Sequence, residues 1–414
     1  MIRDGVLLKS NINQLNQEFI RNRNLKRVLR KIIEKRTATI KDLASELDLS
    51  VPTIISVIDD FLSLGLIEDC GLISTKNGRG RKPICYCLNA NYKYIVSVDL
   101  GRKSIYIGLA NLWGELIDAD VSILDTELQD VAFVEKIIFL INKIIEKNDI
   151  GVRKLASIVV GNAGVVDENT GEISYAAGNA IWDSQPLKLH LQARFPCDVV
   201  VKNDVNTSTI GELKYGIAVA EENFAFFRFD VGVKAGIVIN GKLFEGSNGA
   251  AGEIGFSVTS MMKDASRGES RLENEITVDK LCKKISVLIE KNFNSPLFIL
   301  CHENNKTVTP ELLGEFYQKD HIVNNSLSKY IIVLGNLIIN FTAVIDLPII
   351  ILGGDIVDFG NDFLADLQKY VDKNCFFAPE IKYSSIKEHS GLLGATYIGI
   401  NMFVESITQE LKNI

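Results

Sequence analysis

Long uninterrupted apolar segments are absent from this 414-residue sequence. No run reaches the roughly 18 residues that a membrane-spanning helix needs, and no apolar stretch follows Met1, so we expect neither a membrane span nor a signal peptide. The seven cysteines are odd in number and scattered along the chain. This pattern argues against a disulfide framework and favours the reducing environment of the cytoplasm.

The composition indicates a globular protein of two or three domains, with 47% apolar and 23% charged residues. The charge is unevenly divided along the chain. Residues 1–88 carry a net charge of +5, whereas the remaining residues carry −12. A basic head on an acidic body favours contact between the head and a polyanion, and the modest size of the excess makes this a supporting observation only.

Three amphipathic helices are predicted in the basic head. Apolar residues in 24–35 recur at helical spacing and form one face. Thr39 is a suitable N-cap for a second helix over Ile40–Leu47, and Ser50 is one for a third helix that ends near Leu64. Two short helices joined by a tight turn are typical of a helix-turn-helix, in which outward residues of the last helix contact DNA. The candidate contacts are Ser50, Thr53 and Ser56.

A predicted β-hairpin follows the third helix. Residues 66–73 and 83–88 have strand character, and the segment between them contains TKNGRGRK. This arrangement is typical of the wing of a winged helix-turn-helix, and its tip carries Arg79 and Arg81, whose side chains can enter a minor groove. The helices alone would also suit a helical packing module, so the basic hairpin is the feature that favours DNA binding.

Alternating strands and helices from residue 89 onward predict an α/β body. A strand over 94–100 ends in Asp99-Leu100-Gly101, and a short buried strand at 199–201 precedes Asn203 and Asp204. Open α/β sheets bind ligands at the carboxyl ends of their strands, so Asn203 and Asp204 are candidate ligand-binding residues. Asp204 taken alone would also suit a helix N-cap.

Glycines are concentrated in residues 229–256, FDVGVKAGIVINGKLFEGSNGAAGEIGF. Their spacing predicts a turn over 230–236, an apolar strand over 237–239 and a tight turn at Asn240-Gly241. The second glycine cluster contains a single acid, Glu253. These features favour a backbone-lined pocket for a small molecule, and ordinary hairpin turns are the alternative.

The segment 241–255, GKLFEGSNGAAGEIG, resembles the signature of the ROK family, whose members are sugar-responsive repressors and sugar kinases. The resemblance extends over nearly the whole chain. It implies an α/β fold in which a winged helix-turn-helix, 1–88, precedes the two lobes of an actin-like ATPase fold. The expected lobes are 89–200 and 201–414, with a final helix that can pack back on the first lobe.

The resemblance also implies the residues of a sugar site. Asn203-Asp204 resembles the family's sugar-binding pair, and Glu253 lies within the signature. The full implied set is Gly164, Asn203, Asp204, Glu253 and Glu273. In kinase members the aspartate of the pair takes a proton from a sugar hydroxyl, but a carboxylate beside an amide can also hold two vicinal hydroxyls without any chemistry.

Several positions depart from the pattern of the kinases. Asp230 and Lys234 stand where the family's phosphate-binding turn has glycines, and Arg102-Lys103 would crowd the other phosphate turn. All four ligand positions of the family's zinc site differ, so we expect no zinc and no other cofactor. These positions hold Phe256, Asp264, Ser266 and Arg271. Phe256 also removes a polar partner of the sugar, which favours a deoxy, N-acetyl or less hydroxylated effector.

The sequence therefore predicts a cytoplasmic transcriptional repressor and not an enzyme. The head is expected to bind operator DNA, the body to bind a sugar or sugar derivative that modulates this binding, and the chain to form a dimer or tetramer. Two alternatives stay open, namely a ligand-independent repressor whose body only dimerises, and a sugar kinase with an accessory head. Asp204 favours the kinase, and the altered phosphate turns oppose it.

Overall fold

The head contains three helices and a small antiparallel sheet. A computed structural model describes residues 2–72, 83–101, 104–123, 130–166, 173–174, 186–230, 232–257 and 272–411. The elements of the head are α1 (Ile2–Lys35), β1 (Thr37–Thr39), α2 (Ile40–Leu47), α3 (Val51–Ser63), β2 (Ile67–Leu72) and β3 (Ile84–Leu88). The strand order is β1–β3–β2, so β2 and β3 form the hairpin predicted as a wing. The tip of this hairpin, with Arg79 and Arg81, lies outside the described residues.

Local capping explains why the two short helices begin where they do. The side chain of Thr39 accepts a hydrogen bond from the backbone N–H of Asp42, and that of Ser50 accepts one from Thr53. Asp48, in the left-handed region with φ of 51°, follows the last residue of α2. Such contacts satisfy backbone groups that helix ends leave unpaired. The predicted bounds of α2 are confirmed.

Lobe 1 is a five-stranded sheet with helices on both faces. Its elements are β4 (Tyr94–Leu100), β5 (Ser104–Asn111), β6 (Leu116–Ile123), α4 (Asp130–Lys147), β7 (Leu155–Asn162), α5 (Leu187–Arg194) and β10 (Asp198–Asn203), and a ribbon of β8 (Val165–Val166) and β9 (Ile173–Ser174) follows β7. The strand order is β10–β7–β4–β5–β6, with β10, β7 and β4 parallel. Helix α6 (Asp204–Tyr215) continues directly from β10, which places its first turn at the carboxyl end of the sheet.

Lobe 2 has a second five-stranded sheet, in the order β13–β12–β11–β14–β15. Its strands are β11 (Phe224–Phe229), β12 (Val233–Ile239), β13 (Lys242–Leu243), β14 (Ile349–Gly354) and β15 (Glu380–Tyr383). Its helices are α7 (Glu273–Ile276), α8 (Val278–Ile289), α9 (Pro296–Glu303), α10 (Pro310–Phe316), α11 (His321–Ile345) and α12 (Gly360–Asn374). Among the described residues, α11 is the one helix long and apolar enough to span a membrane, yet Leu327, Leu334 and Ile338 on it belong to the core of lobe 2.

The last helix, α13 (Ser390–Glu410), packs directly against α6. A Cβ atom on Gly394 would lie 1.7 Å from the carbonyl oxygen of Thr207, and one on Gly211 would lie 2.1 Å from that of Ser390. The two backbones can approach this closely only because both positions are glycine. Helix α13 also packs on β4 and β7 of lobe 1.

The C-terminal half of α13 shares an apolar core with the head. The buried members of this core include Leu25, Val28, Leu29, Phe61, Ile400, Phe403, Val404 and Ile407. Burial of this many apolar side chains makes the contact a packed interior and not a loose surface contact. The head is therefore joined to the body through α13 as well as through the chain connection after β3.

Two details differ from the sequence prediction. Strand β12 begins at Val233, so most of the predicted turn over 230–236 is strand. Gly236 serves close packing there, since a Cβ on it would lie 1.8 Å from the Oγ1 of Thr209. In the head, Cys70 and Cys87 are joined by a disulfide between β2 and β3, whereas the scattered cysteines had argued against a disulfide framework.

Candidate functional site

The sugar-site residues implied by the sequence meet at the start of α6. Asn203 ends β10 and caps the helix, because its Oδ1 accepts hydrogen bonds from the backbone N–H groups of Val205 and Asn206. Its Nδ2 donates to the carbonyl oxygen of Gly164 at 2.7 Å. Gly164 has a φ of +116°, a backbone conformation that favours glycine. Asn203 thus fixes the segment after β7 to the first turn of α6.

Asp204 is buried and forms an ion pair with lobe 2. The Nζ of Lys234, on β12, lies 2.9 Å from the Oδ1 of Asp204, and the two side chains are 14% and 10% exposed. Burial acts to raise the pKa of the carboxyl, but Lys234 and Arg228 outweigh it, so the pKa of Asp204 lies below its usual value. Asp204 is therefore an ionised hydrogen-bond acceptor and a poor proton-accepting base.

Glu253 and Glu273 lie beside this ion pair. Burial raises the pKa of Glu253, with Lys234 opposing the shift and the charges of Asp204 and Glu273 adding to it. The carboxylate of Glu273 is close to the signature loop, since a Cβ on Gly255 would lie 3.2 Å from its Oε2. Three carboxylates and one ammonium group thus meet between the lobes. Ionised groups of this kind make the stronger hydrogen bonds to hydroxyls.

Arg228, on β11, forms a second ion pair between the lobes. Its Nη2 lies 3.2 Å from the Oδ2 of Asp99 on β4, and its Nη1 donates to the Oγ of Ser208 at 2.9 Å. Its Nε donates to the Oδ2 of Asp230 at 2.5 Å. Arg228 and Lys234 are direct partners in the β11–β12 pairing. Like charges opposed in this way repel, and the carboxylates of lobe 1 offset that repulsion.

A cavity of about 520 Å³ opens beside Arg228. Carboxylates outnumber cations in its described lining, with Asp230, Asp279, Asp355, Asp358 and Glu388 against Arg228 and Lys387. An excess of negative charge disfavours the phosphates of a nucleotide. Arg102 and Lys103, which were predicted to crowd this region, lie outside the described residues.

The burial of Asp99 should make stability depend on pH. Burial raises its pKa to about 6, against the opposing effect of Arg228. A carboxyl whose folded-state pKa is above its unfolded value costs stability as pH rises from about 4 to about 6. The shift of about two units corresponds to roughly 3 kcal/mol. We expect the free energy of unfolding of wild type to fall by about this amount across that pH range, and that of Asp99→Asn to stay nearly constant. The measurement is urea unfolding at several pH values.

The control for this measurement is Asp366→Asn, which changes a carboxyl on α12 whose pKa is lowered by a hydrogen bond from Lys369. The Asp366→Asn protein should still lose stability between about pH 4 and pH 6, as wild type does. A difference between wild type and Asp99→Asn that stays constant with pH would contradict the assignment of this pH dependence to Asp99.

The candidate DNA contacts on α3 are not equivalent. The hydroxyl oxygens of Ser50 and Thr53 lie 2.8 Å apart, and Ser50 caps the helix. Ser56 is exposed. Asp60, near the end of α3, pairs with Arg21 of α1. Ser50 therefore stabilises the start of α3, whereas the side chain of Ser56 and part of that of Thr53 are accessible for contact with DNA.

The chain belongs to the ROK family, whose family model matches residues 95–401. A relative named putative xylose repressor, from Caldicellulosiruptor sp. (strain Rt8B.4), is 25% identical over 397 residues, which are 93% of this chain and 97% of the relative. The fold is similar to the crystal structure of a ROK family transcriptional regulator described as a homologue of the E. coli MLC protein. That likeness has a TM-score of 0.78 and 18% identity, and covers 95% of this chain and all of the other.

Enzymes of the family share the fold as well. A ROK glucokinase from Streptomyces griseus, solved with glucose and AMPPNP, has a TM-score of 0.64 and 20% identity. The likeness covers 74% of this chain and 98% of the kinase. The fold alone therefore does not separate repressor from kinase, and the side chains of the site have to decide between them.

Sequence reasoning missed the two cations as partners of the lobe 1 carboxylates. Arg228 was not among the predicted site residues, and Lys234 was predicted only as a replaced glycine of the phosphate turn. The available signal was a charged residue within the apolar strand FAFFRF, because a buried charge needs a partner. Among the four positions that correspond to the family's zinc site, where no zinc is expected, Phe256 is half-buried. The other three, Asp264, Ser266 and Arg271, lie outside the described residues. Within the described ranges, no three His, Cys, Asp or Glu side chains are grouped to hold a metal ion.

Proposed function

We propose that this protein is a cytoplasmic, sugar-responsive transcriptional repressor whose head binds operator DNA. It would act as a dimer or tetramer, because helix-turn-helix heads read paired half-sites through paired copies. The observation that carries the proposal is a continuous packed connection between the sugar-site residues and the head. The connection consists of α6, α13 and the core that α13 shares with the head.

Each step of this connection rests on direct contact. Asn203 and Asp204 begin α6, whose backbone touches that of α13 at glycine positions. Farther along α13, Glu405 forms ion pairs with Lys26 and Arg30 of α1. A sugar that binds one arrangement of the lobes more tightly than another shifts the equilibrium between them. Helix α13 would then change the position of the head, and with it the spacing of the two heads of a dimer.

Xylose is the effector that we propose. The relative named putative xylose repressor aligns with nearly the whole chain. Phe256, three residues after Glu253, offers an apolar surface where the family has a histidine. Xylose in its ring form lacks the hydroxymethyl group of hexoses, so it suits a site with fewer polar partners. Gly164, Asn203, Asp204, Glu253 and Glu273 are the proposed contacts.

The same geometry argues that the body is not a kinase. The carboxylate that would serve as the base is held by Lys234, and its pKa is lowered, which weakens proton abstraction. Arg228 lies between Asp99 and Asp230, where the family's phosphate-binding turns converge. Phosphorylation of xylose by ATP that depends on Asp204 would contradict this part of the proposal.

The wing supplies the test of DNA binding. We expect the double variant Arg79→Ala/Arg81→Ala to bind operator DNA more weakly. If both side chains contact phosphates, the slope of log K against log salt should flatten by about one unit for each contact. The measurement is fluorescence anisotropy of labelled DNA from the region upstream of the protein's own gene, at several salt concentrations.

A matched control is Lys284→Ala/Lys373→Ala, which removes the same charge from exposed positions of lobe 2. It should leave the slope unchanged, because counterion release reports local phosphate contacts. If the wing variant retains the wild-type slope and affinity, the wing does not contact DNA.

A further inference from the structure

A second cavity lies behind the effector cleft, between α6, α13, β10, β13 and α1. Its volume is about 720 Å³, within the range of sites that hold drug-sized ligands. Its lining includes residues of the head, both lobes and both central helices, and Asp204, Lys234 and Glu253 are not among them. We call it the rear cavity. The members that matter below are Arg30, Asn206, Ile210, Tyr397, Asn401 and Met402.

Two amide side chains in the rear cavity have no hydrogen-bond partner within the described ranges. Asn206 is 8% exposed. Its backbone N–H donates to the Oδ1 of Asn203, but its side-chain amide makes no hydrogen bond to described residues. Asn401, half-buried on α13, makes no side-chain hydrogen bond to described residues either. Both amides line the cavity, so their donor and acceptor groups are available to a ligand bound there.

Apart from the exposed Asp198, the charged side chains around the rear cavity already have partners. Arg30 is paired with Glu405, and Lys202 lies 3.8 Å from Glu245. The Nζ of Lys214 lies 5.0 Å from the ring centre of Tyr397. A charged ligand would compete with these contacts, and the two unused amides favour a neutral ligand.

The rest of the wall is apolar, with Ile210, Leu213, Tyr397, Ile398 and Met402 beside the two amides. Aromatic and aliphatic side chains next to a few amides match the two surfaces of a carbohydrate, whose C–H face is apolar and whose hydroxyls both donate and accept. A single sugar ring would leave most of about 720 Å³ to water. A chain of two or three rings fills it better.

We propose that the rear cavity binds a neutral oligosaccharide of two or three sugar rings, at a site separate from the effector cleft. Asn206 and Asn401 hydrogen-bond its hydroxyls, and the ring faces lie on Tyr397 and Met402. Asp204 and Asn206, two residues apart on the first turn of α6, then contact different ligands. Since Arg30 of the head also lines the cavity, an oligosaccharide bound there touches the head directly.

The test is isothermal titration of the full-length protein with xylobiose and with cellobiose. We expect one site per chain for at least one of these disaccharides. Met402→Trp should weaken binding at least tenfold by placing an indole where a sugar ring would lie, and Asn401→Ala should weaken it about three- to tenfold through loss of a neutral hydrogen bond. Leu189→Trp, which adds the same ring at an exposed position on α5, should bind as wild type does.

Asp204→Asn separates this inference from the proposed function. It should leave disaccharide binding intact, whereas the response of DNA binding to xylose should be weakened by about one to two orders of magnitude in xylose concentration. Loss of disaccharide binding in Asp204→Asn together with normal binding in Met402→Trp would place the sugar in the effector cleft and overturn the inference. If neither disaccharide gives a heat of binding at tens of millimolar, the inference is overturned as well. This outcome does not depend on the result with xylose and DNA.

Discussion

Asp204→Asn is expected to weaken the action of xylose on operator binding by about one to two orders of magnitude in xylose concentration. The carboxylate is buried and ionised, and a hydrogen bond to such a group contributes roughly 1.5–3 kcal/mol. Asparagine keeps the shape of the side chain and still accepts a hydrogen bond from Lys234, so the fold should survive. The measurement is release of labelled operator DNA during a xylose titration, for wild type and variant.

DNA affinity without sugar should be equal for the two proteins, because Asp204 lies in the body and its described partner is Lys234 of lobe 2. Asp366→Asn, which changes a carboxylate that accepts a hydrogen bond from Tyr317, serves as the matched control and should respond to xylose normally. If no sugar at millimolar concentration releases operator DNA from wild type or from the variant, the protein is better described as a ligand-independent repressor. A normal response of Asp204→Asn would remove Asp204 from the effector site.

Phe403→Ala should have the largest effect on stability and should also uncouple the head from the body. Phe403 is 2% exposed, in the core that α13 shares with the head. Removal of a buried phenylalanine side chain costs about 3–5 kcal/mol, because apolar burial is lost and a cavity remains. We expect a lower unfolding temperature and DNA binding that no longer responds to xylose, although xylose itself still binds.

Phe139→Ala is the control, since Phe139 on α4 is 59% exposed. Its truncation should change stability little and leave the response intact. Calorimetric titration with xylose distinguishes uncoupling from loss of the effector site. A Phe403→Ala protein that binds xylose and releases DNA as wild type does would show that the response bypasses α13.

Local signals explain which parts of the fold could be predicted. The bounds of α2 follow from Thr39 and from the apolar spacing, both of which act within a few residues. The start of β12 was predicted wrongly because glycines mark turns and close packing alike, and Gly236 serves the second purpose. The sequence shows where the glycines are, but it does not distinguish a glycine in a turn from a glycine at a close packing contact.

The ion pairs of the site could not be predicted, because they depend on how the two lobes meet. Asp99 and Arg228 are 129 residues apart in sequence, and Asp204 and Lys234 are 30 apart. No periodicity relates such positions, and only the resemblance to a family brought Asp204 and Glu253 into one predicted site. Their roles as sugar contacts stay predictions, as do the domain boundaries.

The contact between Gly211 and Gly394 on the two central helices has a mechanical consequence. Where two backbones touch, there are no flexible side chains between them to absorb a displacement by changing rotamer. The pair α6–α13 should therefore behave as one stiff rod, which tilts as a unit when the lobes rotate. A small angular change at the sugar end of such a rod becomes a larger translation at its far end, where the DNA-binding head is attached.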